Sequence, residues 1–174
     1  MKLAKAIASN RVSFRTVSIE ILHLAGDNST TGEKHTLVFF HAFMEDDSAC
    51  NYAIQEIIFS ESTDDETRSF LASLYALQEC LIFLESMDIT LNIPDGAIIS
   101  KLQRVLSQQP DFESTHDQIN QEEYTRMYGD WERLIRISSV FKLLGAYINI
   151  QGRDTRSAEV LQNYRRIASL YMCS

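Results

Sequence analysis

The chain has few cysteine, proline and glycine residues, and each scarcity excludes a class of protein. Its three cysteines are widely spaced with no Cys-x-x-Cys pair, which argues against a zinc ribbon or a disulfide framework. Two prolines and six glycines leave no low-complexity linker. No apolar run is long enough to span a bilayer, and the first residues lack a signal peptide's continuous apolar segment. We therefore expect a protein of a reducing, cytoplasmic setting with no membrane partner.

What is present is an ordinary globular composition with an acidic balance. The 174 residues are 45% hydrophobic and 23% charged, which suits one domain over residues 1–174 with its own core. Asp and Glu number 24 against 16 Lys and Arg, for a net charge of −8. Because a uniformly acidic surface repels phosphates, a general nucleic-acid coat protein is excluded.

The charge is nevertheless uneven along the chain. Residues 45–66 contain eight acids and no base, whereas residues 126–166 contain eight bases and four acids. One interpretation is a set of solvated helix faces, and the other is a local basic surface on an acidic body. The basic surface would bind a protein or a nucleic acid, and its candidate residues are Arg133, Arg136, Arg153 and Arg156.

Periodicity predicts three strands followed by a long helix. Residues 12–24, 35–43 and 52–60 are β-branched, aromatic or alternating, which predicts an antiparallel meander joined by polar loops. Two overlapping capping boxes follow, Ser62 with Asp65 and Thr63 with Glu66. The helix after them has two stripes and should be buried over a wide arc. One stripe is apolar (Phe70, Leu74, Leu77, Leu81, Leu84) and the other is small (Ser69, Ser73, Ala76, Cys80).

The rest of the chain alternates between the period of two that is typical of strands and the helical period. The predicted elements are a strand at 88–93, helices at 97–106 and about 122–144, a strand at 146–150 and a helix at 157–173, with a polar connection at 107–121. The second of these helices should bury Tyr124, Tyr128, Trp131, Leu134, Ile135 and Phe141. The order β-β-β-α-β-α-α-β-α predicts a mixed α/β sheet with parallel strands after the meander and helices on both faces.

This order resembles the ribonuclease H fold, which ribonuclease H, integrases and related nucleases share. The stretches that carry the resemblance are Ser62–Leu77, Ile89–Gly96, Asp130–Leu134, Ile148–Arg153 and Ser157–Leu161. The resemblance implies a nuclease chemistry in which four carboxylates hold two magnesium or manganese ions.

Only part of that carboxylate set has a counterpart here. The resemblance places the first family Asp at Leu22–Leu24 and the family Glu at Ser69, or Phe70 with a shift of one residue, and none of these is acidic. The third and fourth ligands fall on Asp95 and Glu159, and the family's loop histidine falls near Arg153. Glu20 and Asp27 are the carboxylates nearest the first position.

The same residues also have simple structural interpretations. Asp95 lies between Pro94 and a helix start, where Asp caps helices, and Glu159 complements a helix dipole. His23 and His41 lie on predicted strands and should be packed or hydrogen-bonded. No Ser-His-Asp order, Gly-rich phosphate loop or His-Glu-x-x-His run supports another enzyme class.

We therefore expect a ribonuclease H-like pseudoenzyme without a cofactor, acting as a binding module for a protein first and a nucleic acid second. The first alternative is an active two-metal nuclease, using Mg or Mn, in which Glu20 or Asp27 joins Asp95 and Glu159. The second alternative is an acidic inhibitor that mimics nucleic acid through residues 45–66.

Overall fold

Five strands and four helices make up the part of the chain that the structure describes. The computed structural model describes residues 14–24, 32–44, 50–81, 88–107, 127–152 and 158–172. The strands are β1 (Phe14–His23), β2 (Glu33–Met44), β3 (Cys50–Ser60), β4 (Asp88–Ile93) and β5 (Tyr147–Gly152). The helices are α1 (Asp65–Cys80), α2 (Gly96–Ser107), α3 (Tyr128–Leu143) and α4 (Ala158–Met172). The predicted connection at 107–121 lies almost wholly outside the described residues.

The strands form one mixed sheet in the order β3-β2-β1-β4-β5. The first three strands pair antiparallel, β1 with β2 and β2 with β3, as short connections between successive strands allow. β4 then pairs parallel with β1, and β5 parallel with β4. This arrangement confirms the predicted meander followed by parallel strands. No helix in the described part of the chain is long and apolar enough to cross a membrane.

Strand alternation divides the core between the two faces of the sheet. Ile19 and Ile21 of β1 enter a large apolar cluster with side chains of α1, α2 and α3. Leu22 points the other way, into a smaller cluster with Phe39 and with Tyr164 of α4. Helices therefore lie on both faces, as the sequence predicts.

Helix α1 buries the small stripe and the first three residues of the apolar stripe, Phe70, Leu74 and Leu77, but its cap differs from the prediction. Leu81, just after the helix, is only partly buried, and Leu84 lies outside the described residues. The backbone N–H of Thr67 donates to Oδ1 of Asp64 over 2.7 Å, so Asp64 is the N-cap. The hydroxyls of Ser62 and Thr63 instead lie 2.7 and 3.3 Å from Oγ of Ser60. Both predicted capping boxes are therefore wrong, because these hydroxyls are used in the turn before the helix.

Helix α3 buries four of its predicted residues, Trp131, Leu134, Ile135 and Phe141, but leaves Tyr128 exposed. Its start before residue 127, with Tyr124, lies outside the described residues. The helix ends in a Schellman motif, in which the N–H of Ala146 donates to the Phe141 carbonyl and that of Gly145 to the Lys142 carbonyl. Gly145 has a φ of 71°, the left-handed conformation that this ending requires. The motif turns the chain directly into β5.

Candidate functional site

In open sheets with parallel strands, ligands bind beyond the carboxyl ends of the strands, so the carboxyl end of β1 is a candidate site. His23 is the last residue of β1, and Ser69 lies on the first half of α1, which packs over the strand. Nε2 of His23 is 2.8 Å from Oγ of Ser69, and Nδ1 is 3.0 Å from Oγ1 of Thr36 on β2. His23 lies in the Leu22–Leu24 stretch to which the resemblance assigns the first carboxylate, and Ser69 is one of the two residues to which it assigns the second. These two residues therefore meet in space as an imidazole and a hydroxyl.

A buried arginine completes this polar cluster. Arg68, next to Ser69 on α1, is only 3% exposed. Its Nε and Nη2 donate to Oγ1 of Thr36 over 3.2 and 3.0 Å, and Nη2 also donates to the main-chain carbonyl of His35 over 2.7 Å. Nη1 pairs with Oδ1 of Asp65 at 2.9 Å, at the surface. A cation is thus part of the network that holds His23.

The network sets the tautomer of His23. A threonine hydroxyl has one proton and two lone pairs, whereas a guanidinium can only donate. Since Arg68 donates twice to Thr36, the Thr36 proton is left for Nδ1 of His23. Nδ1 then accepts, and Nε2 donates its proton to Ser69. The described hydrogen bonds are therefore best satisfied by the arrangement in which Nε2 carries a proton and Nδ1 accepts.

Asp95 lies in the short turn between β4 and α2. Its Oδ1 accepts a hydrogen bond from the backbone N–H of Ala97 over 2.8 Å, which is the bond expected of a cap. The structural interpretation of Asp95 is thus confirmed. Among the described residues, no group of three or more His, Cys, Asp or Glu side chains is placed to hold a metal ion.

Glu20 lies in the middle of β1 and is almost fully buried. Alternation puts it on the Leu22 face of the sheet, opposite to the face of His23. It is in register with Asn92 of β4, which is also buried and donates from Nδ2 to the Ile19 carbonyl over 2.9 Å. Oδ1 of Asn92 accepts no hydrogen bond from the described residues. Glu20 is therefore separated by the sheet from the His23–Ser69 pair.

The only cysteine whose side chain is described is inert. Cys80 lies on the small stripe of α1, and desolvation raises the pKa of its thiol from 9.0 to about 12. The thiol stays protonated at neutral pH, so it is neither a nucleophile nor a ready metal ligand.

Comparison with known proteins supports the fold and leaves the chemistry open. No family model matches the chain, and no curated protein matches it. Among solved structures, the prototype foamy virus protease–reverse transcriptase aligns over 86% of this chain, with a TM-score of 0.55 and 11% identity. That viral protein carries a ribonuclease H domain. The chain has a ribonuclease H-like fold.

Other matches have similarly low identity. The selenomethionine-labelled mutant of the viral protein aligns over 82% of this chain, with a TM-score of 0.54 and 9% identity. A ribonuclease H1 from Halobacterium salinarum aligns over 80% of this chain and 88% of its own, with a TM-score of 0.47 and 15% identity. This chain spans only 19% of the native viral protein and 18% of its mutant, so their complete activities do not transfer with the fold.

The residues in the stretches where the resemblance places the first two carboxylates do not suit a pair of divalent ions. Magnesium and manganese prefer carboxylate and carbonyl oxygens. Here one position is an imidazole whose two nitrogens are hydrogen-bonded, and the other is a buried hydroxyl. The guanidinium of Arg68, which shares Thr36 with His23, adds a positive charge that would repel a cation. We therefore derive no metal-dependent step for this site.

Two of the predicted surface arginines are exposed on α3, and both are paired. Arg133 donates to Oε1 of Gln78 over 2.6 Å and lies 3.4 Å from Oδ1 of Asp130. Arg136 donates to Oε1 of Glu132 over 2.5 Å. Because Asp130 and Glu132 on the same helix offset the charges of these two arginines, α3 does not supply the net positive charge that the basic-surface interpretation requires.

Several predicted site residues cannot be placed in the ribonuclease H-like fold. Arg153, Arg156 and Asp27 lie outside the described residues. Glu159 lies in the first turn of α4, but its side chain is not among those described.

The residues that sequence reasoning missed are Arg68, Thr36 and Asn92. An acid three residues before Arg68 could have indicated a helical ion pair, but this spacing usually describes a surface pair. Its burial depends on the packing of α1 across β2. That contact is not visible in the periodicity of either element.

Proposed function

We propose that this chain is a single ribonuclease H-like domain that lacks two-metal catalysis and acts as a binding module in a reducing, cytoplasmic setting. The observation that carries the proposal is the contact between His23 and Ser69. His23 is also hydrogen-bonded to Thr36, which in turn accepts a hydrogen bond from Arg68. In the stretches where the resemblance implies the first two carboxylates, this chain has a hydrogen-bonded imidazole and hydroxyl near the buried guanidinium of Arg68.

Coulomb energy supports this interpretation. Two divalent ions about 4 Å apart need several negative ligands to offset their mutual repulsion. Asp95 and Glu159 alone would supply two negative charges, and Oδ1 of Asp95 already accepts the α2 cap bond. Two negative charges are fewer than a pair of divalent ions requires for the two-metal reaction.

The acidic balance of the whole chain favours a protein over a nucleic acid as the partner. The net charge is −8, and the two exposed arginines of α3 each have an acid on the same helix. Nucleic-acid affinity depends on unbalanced cations that displace counterions from phosphates. We therefore expect at most weak, salt-sensitive nucleic-acid binding.

The decisive experiment is a nuclease assay on an RNA–DNA hybrid and on single-stranded RNA and DNA, with magnesium or manganese. We expect no metal-dependent turnover above that of the Asp95→Asn variant. The alternative of an active nuclease with displaced ligands predicts turnover that is lost in Asp95→Asn and also in either Glu20→Gln or Asp27→Asn. A manganese-dependent product that disappears in these variants would replace our proposal with that alternative.

The acidic-inhibitor hypothesis concerns residues 45–66. Among the exposed acids described there, Asp64 caps α1 and Asp65 pairs with Arg68, which gives two of them structural roles. The hypothesis predicts tight, salt-sensitive binding to a basic nuclease that is weakened by Glu61→Gln. We expect no such binding.

A further inference from the structure

The backbone of β3 has one side that faces away from the sheet. β3 is an outer strand of the described sheet and pairs with β2. The backbone N–H of Leu24 donates to the His35 carbonyl over 3.0 Å, so the main-chain groups of His35 point towards β1. Because these groups alternate in direction along a strand, those of Thr36 point towards β3 and pair with Ile57, its partner in register. The residues on either side of Ile57 therefore direct their main-chain groups away from β2.

Three residues of β3 present such outward groups in succession, Ile54, Glu56 and Ile58. Their N–H and C=O groups recur about every 6.8 Å, which is the spacing that an added strand matches. The side-chain amide of Gln55 donates to the Glu56 carbonyl over 3.0 Å. This carbonyl thus accepts a donor on the side where an added strand would lie. We call the outward groups of these three residues the β3 edge.

The side chains of the β3 edge form an apolar, acidic, apolar row on one face of the sheet. Ile58 is 54% exposed, and Ile54 packs partly against the smaller apolar cluster. The Glu56 side chain between them is 24% exposed, and its Oε1 is 2.7 Å from Nδ1 of His35. A carboxylate has about four acceptor sites, so Glu56 can also accept from a cation of a partner. β3 contains no lysine or proline, the residues that commonly block pairing at an edge.

Charge complementarity selects a strand with a basic residue as the occupant. A second copy of β3 is disfavoured, because the antiparallel pairing that matches Ile54 with Ile58 puts Glu56 opposite itself, and like charges directly opposite each other are destabilising. A strand of another protein that has a base at this position forms a cross-strand ion pair instead. A nucleic acid lacks the alternating main-chain donors and acceptors of a strand, and Glu56 would repel its phosphates.

We propose that the β3 edge binds a segment of a partner protein as an added antiparallel strand, with a lysine or arginine opposite Glu56 and β-branched apolar residues opposite Ile54 and Ile58. This inference rests on the proposed binding function and names the surface and the partner chemistry for it. Main-chain hydrogen bonds supply the affinity, and the three side-chain pairs supply the specificity.

Fluorescence anisotropy with two labelled peptides tests the charge pairing. One peptide is Thr-Ile-Thr-Lys-Thr-Ile-Thr, and the other has Glu in place of Lys. We expect the lysine peptide to bind about fivefold more tightly or better, and Glu56→Lys to reverse this preference, which loss of folding cannot do. The matched control is Glu61→Lys, which makes the same charge change at an exposed position in the turn after β3 and should keep the preference. Fluorescence of the buried Trp131 checks that every variant is folded.

Backbone methylation of the lysine peptide tests the main-chain pairing. In the antiparallel arrangement the N–H of its Lys faces Glu56, whereas the N–H of the next Thr points away from β3. Methylation of the Lys nitrogen should therefore weaken binding by about tenfold or more, and methylation of that Thr nitrogen should leave it nearly unchanged. Ile58→Thr keeps a β-branched residue but loses an apolar contact, and it should weaken binding by about threefold.

Several results would overturn the inference. They are no binding of the lysine peptide, an unchanged preference in Glu56→Lys, a reversed preference in Glu61→Lys, or equal affinity of the two methylated peptides. Displacement of the peptide by single-stranded RNA, or a dimer of this chain that Ile58→Thr dissociates, would replace the proposed occupant. The nuclease assay on the same preparations separates the two proposals, because failure of the peptide to bind an inactive protein rejects only the β3 edge.

Discussion

Replacement of Arg68 by methionine tests the polar cluster beneath the candidate site. Methionine keeps an unbranched apolar stem but has no donors. The guanidinium makes two kinds of buried hydrogen bond, to the Thr36 hydroxyl and to the His35 carbonyl, while its contact with Asp65 is at the surface. Only the buried bonds should contribute substantially to stability.

The expected cost follows from what each acceptor retains. Hydrogen bonds to a charged group contribute about 1.5 to 3 kcal/mol each, so two would suggest about 3 to 6 kcal/mol. The His35 carbonyl keeps the N–H of Leu24 at 3.0 Å, and Thr36 keeps His23, so neither acceptor is orphaned. Removing Arg68 also relieves the desolvation of a buried charge. We therefore expect a net loss of about 2 to 3 kcal/mol.

Urea unfolding followed by Trp131 fluorescence measures this loss. Trp131 is the only tryptophan, is fully buried and lies 4.3 Å from the ring of Phe70 between centroids. A loss of 2 to 3 kcal/mol should lower the urea midpoint by about 1 M, given a slope near 2 kcal/mol per M.

Two further variants make the result specific. Arg68→Lys should be no more stable than Arg68→Met, because one ammonium cannot reproduce the fork that reaches both acceptors. Arg136→Met removes an exposed arginine and should change stability by less than about 0.5 kcal/mol. If Arg68→Met were as stable as Arg136→Met, the cluster would not hold β1, β2 and α1 together and our reasoning would be wrong.

Three other predictions follow from buried or capping groups. Glu20→Gln should raise the free energy of unfolding by about 1 kcal/mol in urea titrations, because it keeps the size of the side chain and brings an N–H donor into register with Asn92, whose Oδ1 accepts no hydrogen bond from the described residues; a loss of stability would contradict this. Asp95→Ala should lower the free energy of unfolding by about 1 kcal/mol, measured by heat or urea, because the Ala97 N–H loses its cap acceptor; Asp95→Asn keeps an acceptor oxygen and should lower it little. With the other two cysteines replaced by serine, Cys80 should resist a thiol reagent at pH 8 until the protein unfolds. Since its pKa rises from 9.0 to about 12 on folding, stability should fall as pH rises above 9; rapid native labelling would refute its burial.

The fold was predictable because it depends on periodicity, and much of the site was not because it depends on contacts between elements. Strand β4 was predicted at its observed bounds because an alternating run ends at Pro94. The cap of α1 was misplaced because serine, threonine and aspartate in one short stretch compete for the same role, and only the geometry of the turn selects Asp64. The burial of Arg68 required knowledge of which strands lie beneath α1.

The predicted histidines show the same distinction. Sequence reasoning placed both on strands as packed or hydrogen-bonded residues, and this is confirmed for His23 by Thr36 and Ser69 and for His41 by its ring contact with Tyr164. What the sequence could not reveal is that His23 and Ser69 touch across 46 positions of chain. That contact determines the chemistry at the carboxyl end of β1.

The Thr36 hydroxyl is hydrogen-bonded to both Arg68 and His23. This arrangement limits which substitutions could create a metal centre in this chain. An aspartate introduced at position 23 would share the Thr36 environment with the guanidinium of Arg68 and would pair with it. Its negative charge would then already be compensated and would attract a metal ion only weakly. Acquiring a divalent ion would thus require at least the exchange of His23, Ser69 and Arg68 together, with no single step that gains affinity by itself. The buried positive charge of Arg68 therefore opposes the appearance of a metal site at this end of the sheet.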